Sequence, residues 1–284
     1  MLEIKNLNYS FGKTAIIQDF SYHFKSNVYG LLGANGAGKT TLIRCITGVY
    51  ELKSDAIFYK GLSIKNNKDF YKEISYLPQK FGLFKNLTVK EMMLMMASLK
   101  GVNVKGKENI INDCISTVNL SDKLNDKIKT LSGGMIRRLG IAQTLLNNPK
   151  VIIFDEPTAG LDIEERLRFK NIISEISRDK IIIISTHIAS DIEALCDEVL
   201  VMRDKGIVFA GDCEEMVEVA RMKTYILPQE KLSDIEGEFH VQNYFEKKSE
   251  HFVKILTNVP FEKYNAELVE PTIEDGYVCL LKDV

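Results

Sequence analysis

The sequence predicts an α/β protein in which a mostly parallel sheet carries a Gly-rich loop. An antiparallel β pair precedes the loop, an all-helical insert interrupts the sheet and a small α+β appendage follows. Three observations carry this expectation. The runs VYGLL, VIIFDE and IIIIS are almost wholly apolar, as strands buried on both faces of a parallel sheet are. The first run leads straight into GANGAGKT and a helical TLIRCITGVY. Ahead of it, LEIKNLNYSF and AIIQDFSYHF alternate apolar and polar residues, the pattern of half-buried strands.

In chain order, Gly12-Lys13 supplies the turn between the first two strands, and the strand, loop and helix around GANGAGKT come next. Thr88 with Glu91 forms a capping box, and Ile111, Cys114, Ile115 and Val118 repeat at helical spacing, which places an all-helical insert at about residues 88–145. After about residue 220 the character shifts to short segments such as TYIL and FVKIL broken by Pro, Gly and charge. The expected division is therefore a main domain over 1–220 and an accessory α+β domain over 221–284.

At 284 residues with 45% hydrophobic and 27% charged residues, the chain can bury a large core and is not expected to be disordered. A formal net charge of −2 provides no broad basic field, so nucleic acid is not an expected partner and any polyanion must be held at a local site. Five scattered cysteines (Cys45, Cys114, Cys196, Cys213 and Cys279) and four scattered histidines suggest neither a disulfide framework nor a zinc site. The cysteines read as buried small apolar groups in a reducing compartment. No apolar run approaches the roughly eighteen residues that span a bilayer, so the sequence reads as a soluble chain able to dock on a membrane protein.

The strongest chemical signal is GANGAGKTT, Gly33 to Thr41, which fits G-x-x-x-x-G-K-[ST] between a strand and a helix. Its glycines let successive backbone N–H groups converge on phosphate oxygens, the helix start adds its positive end, and Lys39 adds a point charge. Thr40 is expected to put its hydroxyl on Mg²⁺. In VIIFDEP two carboxylates emerge at the end of a buried strand. Asp155 is expected to hold Mg²⁺ through water and Glu156 to polarise an attacking water.

Other residues are weaker signals taken singly. His187 after IIIIST and Gln79 in SYLPQ are each ordinarily structural or surface groups. Met92, Met93, Met95 and Met96 read as helix core before a binding face, although methionine also suits adaptable partner contacts. Arg137 and Arg138 read as a solvated helix face. In LSGGM, Ser132, Gly133 and Gly134 lack side-chain bulk, which suits close approach by another group.

Taken in order, these residues resemble the ATP-binding subunit of an ABC transporter over about residues 1–220. Phe11 before Gly12 matches the adenine-stacking aromatic. Gly33, Asn35, Gly36, Ala37, Gly38, Lys39, Thr40 and Thr41 fall in the Walker A loop, and Gln79 matches the Q-loop. LSGGM matches the signature, VIIFDE the Walker B strand with its catalytic glutamate, AGLD ending at Asp162 the D-loop, and His187 the switch histidine. Tyr9 shares the strand face of Phe11 and could stack adenine equally well; the family pattern favours Phe11. Met135 stands where glutamine is usual, and Ile163 where proline is common.

The resemblance implies a P-loop ATPase using ATP and Mg²⁺, with Glu156, His187, Lys39 and Gln79 in catalysis and Thr40, Gln79 and Asp155 on the metal. It also implies a head-to-tail homodimer in which Ser132, Gly133 and Gly134 of one chain face the γ-phosphate held by the other. A separately encoded transmembrane permease would hold the subunit on the cytoplasmic face of the cell membrane. The groove near Phe81, Leu83 and Phe84 is where the family receives permease helices, though the same residues could simply close the local core. GGMIRRLGIAQTLLNNP and VEPTIEDGYVCLL have the style of drug, bacitracin and lantibiotic exporters. The alternative is a non-transport ABC ATPase acting on ribosomes or DNA.

Overall fold

The computed structural model describes residues 1–65, 67–102, 106–235, 237–259 and 266–284. Parts of the expected insert (103–105) and accessory segment (236 and 260–265) lie outside the described residues. Leu2–Phe11 (β1) and Thr14–Phe24 (β2) pair antiparallel from Leu2 opposite Phe24 to Phe11 opposite Thr14. Gly12, at φ +58°, makes the turn that a side chain would resist. Asn27–Leu32 (β3) leads into the loop and then Lys39–Ile46 (α1). Ile57–Tyr59 (β4) and Leu62–Ser63 (β5) extend the first sheet to the order β2-β1-β4-β5.

Lys68–Glu73 (α2) and Ile74–Leu77 (β6) return the chain to the central sheet. Val89–Leu99 (α3), Lys107–Thr117 (α4) and Gly133–Leu145 (α5) form the helical insert. Val151–Asp155 (β7), Ile163–Ile176 (α6), Ile181–Thr186 (β8), Ala189–Leu195 (α7), Glu198–Arg203 (β9) and Gly206–Gly211 (β10) follow. The central sheet has the order β10-β9-β3-β8-β7-β6, parallel throughout except for the edge strand β10.

The apolar runs divide by alternation between two cores, because successive side chains leave a strand on opposite faces. Ile152 and Phe154 of β7 and Ile182 and Ile184 of β8 join the core under the helical insert. Val151, Ile153, Ile181 and Ile183 join the core shared with β1, β2 and α1. Burial of each such side chain contributes about 1.5–3 kcal/mol.

In the insert the capping box forms as the sequence implies: the Glu91 N–H donates to Thr88 Oγ1 at 3.2 Å and the Thr88 N–H to Glu91 Oε2 at 2.8 Å. Met92 and Met93 are buried, and Met95 and Met96 pack on the same core. Arg138 corrects the expectation of a solvated face. It is 4% exposed, donates to the Val118 and Asn119 carbonyls at 2.9 and 2.8 Å, and pairs with Glu165 at 3.1 Å. Its charge answers the unpaired carbonyls at the end of α4, a partner distant in sequence from its own helix start. Cys45, Cys114 and Cys279 are buried as expected, whereas Cys196 and Cys213 are only partly so.

Cys213–Glu218 (α8) precedes Thr224–Pro228 (β11), His240–Lys247 (β12), Glu250–Leu256 (β13) and Glu267–Leu268 (β14), which make an antiparallel sheet of order β12-β13-β11-β14. Ile273–Lys282 (α9) then packs against α7 and α8. Its Ile273 and Tyr277 share a core with Leu32, Ala189, Ile192 and Met216, so the last helix of the 221–284 segment belongs to the hydrophobic interior of the preceding residues. Gly276 permits this contact: a Cβ there would lie 1.9 Å from the Met216 carbonyl oxygen. Gly276→Ala is therefore expected to destabilise the chain by about 1–3 kcal/mol through overpacking against backbone. An unchanged thermal midpoint would show that α9 can move off α8 at no cost. Among the described residues no helix is long and apolar enough to cross a membrane.

Candidate active site

Strand register assembles the site. Leu32 of β3 lies level with Thr186 of β8, and Asp155 of β7 level with Ser185, so Gly33, Glu156 and His187 leave adjacent strands at one carboxyl edge. Ligands of open α/β sheets bind at such edges.

The loop from Gly33 to Gly38 is shaped by positive φ at Gly36 (+88°) and Gly38 (+103°), which glycine adopts without strain. Gly38 is the N-cap of α1 and supplies no side-chain acceptor, so the first-turn N–H groups stay available to an anion. Lys39 is 6% exposed and folds back over its own loop, donating to the Gly33 and Ala34 carbonyls. Its Nζ lies 3.7 Å from Glu156 Oε1. Burial lowers the ammonium pKa, and the carboxylates of Glu156 and Asp155 oppose that shift. Asn35, Gly36, Ala37, Thr40 and Thr41 line the same cavity, whose walls also include Gln79 and Glu156. A cavity rimmed by free N–H groups with one buried cation fits a polyphosphate.

The adjacent carboxylates take different environments. Asp155, 2% exposed, accepts from Ser185 Oγ at 2.6 Å, Thr40 Oγ1 at 3.1 Å and the Tyr76 hydroxyl at 3.3 Å. Burial first, and Asp155 second, push the Tyr76 phenol up to about 12. Glu156 turns the other way because its backbone sits at φ +49°, a conformation costing about 1–3 kcal/mol. The conformation is held by its N–H, which donates to the carbonyl and hydroxyl oxygens of Ser185 at 3.1 and 3.0 Å. His187 Nδ1 lies 2.9 Å from Glu156 Oε2.

Thr40 and Asp155 thus offer a hydroxyl and a carboxylate at one point. Among the described residues no group of three or more His, Cys, Asp or Glu side chains could hold a metal. The pair fits Mg²⁺, which takes few protein ligands and completes its shell with phosphate and water. The Gln79 side chain makes no hydrogen bond among the described residues; its backbone carbonyl accepts from Arg137 at 3.2 Å.

The two candidate rings pack differently. Tyr9 stacks on Tyr50 with centroids 5.3 Å apart and planes 8° from parallel, which occupies one of its faces. Phe11 stands nearly perpendicular to both rings and is 48% exposed, which leaves it the more accessible of the two candidates. Tyr50 has no sequence motif; only folding brings it to this cluster.

Gly133, Gly134 and Asp162 line a second cavity that shares Gln79 with the first, and within one chain it does not include Lys39. Ser132 caps α5 by accepting from the Met135 N–H at 3.2 Å, and Asp162 caps α6 by accepting from the Glu165 N–H at 2.8 Å. The two glycines differ: nothing lies within 4 Å of a Cβ placed at Gly133, whereas one at Gly134 would meet Glu165 at 2.5 Å. Arg137, read from sequence as solvated, instead donates to the Glu156 carbonyl at 2.8 Å, and its guanidinium lies over Phe81, 5.7 Å from the ring centre. Burial lowers its pKa. Its spacing on α5 gives no sign of either contact.

A phosphate loop, an Mg²⁺-suited pair and a buried glutamate with a histidine partner, all on one sheet edge, define a P-loop nucleotide hydrolase. A family model described as ABC transporter matches residues 18–159. The chain is 36% identical over 213 residues to the uncharacterised ABC transporter ATP-binding protein YhcH of Bacillus subtilis, covering 73% of this chain and 68% of that protein. It is 37% identical over 193 residues to ABC transporter A family member 8 of Dictyostelium discoideum, covering 68% of this chain and 23% of that much longer protein. The structure of CbiO1 from Clostridium perfringens, part of the complex CbiONQ, superposes with a TM-score of 0.68 at 26% identity, over 75% of this chain and 89% of that one. The chain belongs to the ABC transporter family, as an ATP-binding subunit. It is an ATPase that uses ATP with Mg²⁺, and subunits of this kind work with a membrane permease.

Proposed function

We propose that ATP binds with its adenine on Phe11 and its phosphates in the Gly33–Thr41 loop, and that two chains close head to tail around two such sites to drive a separately encoded permease. In this reading Lys39 leaves the Gly33 and Ala34 carbonyls for the β- and γ-phosphate oxygens, while Thr40, Asp155 and Gln79 serve Mg²⁺. Held there, Mg²⁺ would neutralise charge on those oxygens. Glu156, oriented by His187, accepts hydrogen bonding from the attacking water.

The observation that carries the dimer is the separation of the two cavities within one chain, together with the open space over Gly133. A phosphate held by Lys39 needs a second set of donors, and Ser132, Gly133 and Gly134 of another copy supply them. Asp162, at the head of α6, stands beside them. Moving an open–closed equilibrium from about 1:99 to 99:1 takes roughly 5.5 kcal/mol, which a few charge-assisted hydrogen bonds at about 1.5–3 kcal/mol each provide. Ser132→Arg is expected to leave ATP affinity intact and abolish turnover; undiminished ATPase activity would sink the trans role.

The accessory-domain reading of 221–284 is retained for its sheet, with α9 acting as the part that ties it to the ATPase. The permease contact is assigned to the stretch after Gln79. Phe81 fills the space over Gly140 and Leu83 packs on the insert core, so Phe84, 62% exposed, is the residue of the three left for docking. Through that contact the subunit would sit peripherally on the cytoplasmic face of the cell membrane. Export of drugs, peptides or antibiotics is the direction we assign, supported by the GGMIRRLGIAQTLLNNP and VEPTIEDGYVCLL stretches. ATP-driven accumulation of such a compound in inside-out vesicles carrying the complex tests it; uptake by right-side-out vesicles alone would reverse it. Action on ribosomes or DNA is not favoured, and no nucleic acid is assigned as a partner.

A further inference from the structure

We propose that Asp191, acting through Thr158, is the positioning residue that sets His187 against Glu156. This rests on the reading of Glu156 and His187 as the catalytic pair. Thr158 lies two residues after Glu156, and Asp191 four residues after His187. The Thr158 hydroxyl donates to Asp191 Oδ2 at 2.6 Å, and the two groups are 1% and 6% exposed. The same two segments are thus joined twice, once by the catalytic contact and once by a shorter, buried link beside it.

His187 needs such a link. Its side chain is 44% exposed, and the helix that follows, α7, has seven residues and an Ile188 N-cap that offers no side-chain acceptor. The Ile188 N–H donates to Thr186 Oγ1 at 3.1 Å, which holds the backbone on either side of His187 and leaves the direction of the imidazole to contacts further along the chain. Asp191 lies in the first turn of α7, and its other oxygen accepts from Arg166 Nη1 at 3.1 Å. Arg166 is anchored in turn on α6, its N–H donating to the Asp162 carbonyl at 3.0 Å.

A carboxylate in this place is costly to desolvate, and mere packing would be served by an apolar residue like its neighbour Ile192, which is fully buried. The chain instead occupies both carboxylate oxygens with Thr158 and Arg166, partners from the segment that follows Glu156. Hydrogen bonds tolerate only a few tenths of an ångström, whereas a displacement of about 1 Å at a reacting group costs roughly a hundredfold in rate. The Thr158–Asp191 bond holds the His187–Glu156 distance within the tolerated range.

The test is steady-state ATPase kinetics of the full chain with Mg-ATP, for Thr158→Val, Thr158→Ser and Asp191→Asn, each alone and combined with His187→Ala. Thr158→Val and Asp191→Asn are expected to lower kcat roughly tenfold to a hundredfold with KM within about twofold. Thr158→Ser, which keeps the hydroxyl, should retain turnover. In the His187→Ala background neither should cause further loss, since the residue they position is gone. A kcat within about twofold of wild type, equal losses with and without His187, or a Thr158→Ser as slow as Thr158→Val would each overturn the proposal. Wild type with no turnover, or Glu156→Gln with undiminished turnover, would instead remove the catalytic reading beneath it.

Discussion

Lys39→Ala is expected to weaken ATP binding by about a hundredfold or more, a loss of about 3 kcal/mol or greater. Lys39 is the buried cation of the loop cavity, and its ammonium donors are met by two backbone carbonyls and a carboxylate 3.7 Å away. Those partners can release it to phosphate oxygens, which are better acceptors. No other residue of the loop replaces the charge, because its remaining donors, backbone N–H groups and the Thr40 and Thr41 hydroxyls, are neutral. The loop conformation depends on Gly36 and Gly38, so the variant should fold. Isothermal titration with Mg-ATP checks the expectation, and an unchanged affinity would remove the phosphate assignment from this loop.

Glu156→Gln should have the opposite profile: ATP retained, turnover reduced by about 10²–10⁴-fold, and a dimer accumulated in saturating Mg-ATP. The side chain is isosteric and still offers an oxygen to Lys39 or His187, so the cavity keeps its shape. What disappears is the carboxylate able to take a proton from water. The backbone at φ +49° is held by Ser185 and Arg137 through main-chain atoms, and neither bond depends on the side chain. Light scattering with chromatography reads the dimer. A chain that stays monomeric in this variant with ATP bound would count against the head-to-tail arrangement, while leaving the role of Glu156 to be judged by turnover alone.

The two variants separate binding from chemistry because the two side chains occupy different walls of one cavity. Lys39 rises from the start of α1, and Glu156 descends from the end of β7. Their 3.7 Å contact means that Lys39→Ala also leaves the Glu156 carboxylate with His187 as its remaining ion-pair partner among the described residues. Affinity in the first variant and rate in the second are therefore the clean readouts.

Much of this was legible in the linear order of residues. The loop glycines, Lys39 and Thr40 lie within nine consecutive positions, and Asp155 and Glu156 are adjacent at the end of an apolar run, so chemistry and local geometry coincide there. The apolar character of β3, β7 and β8 announced strands buried on both faces, and strand register then had to bring their ends together. Gln79, His187 and LSGGM carried no chemistry individually; their order along the chain made them recognisable. Arg137 and Arg138 misled because helix periodicity describes only a residue's own helix. Their partners are the Glu156 carbonyl and the end of α4, both remote in sequence.

What the sequence by itself determined was the set of local devices: a turn at Gly12, a phosphate loop at Gly33–Thr41, a capped helix at Thr88 and a pair of acids at Asp155 and Glu156. Each depends on residues within about ten positions, where propensity and backbone sterics decide. Only the tertiary structure decided that Tyr9 stacks on Tyr50 while Phe11 stays half exposed, and that Gly134 is small because Glu165 lies on it. The fold likewise decided that α9 buries Tyr277 in the preceding core and that Thr158 reaches Asp191. These are contacts between segments far apart in the chain, and which side chain is spent on a neighbour and which is left for a ligand depends on how those segments pack.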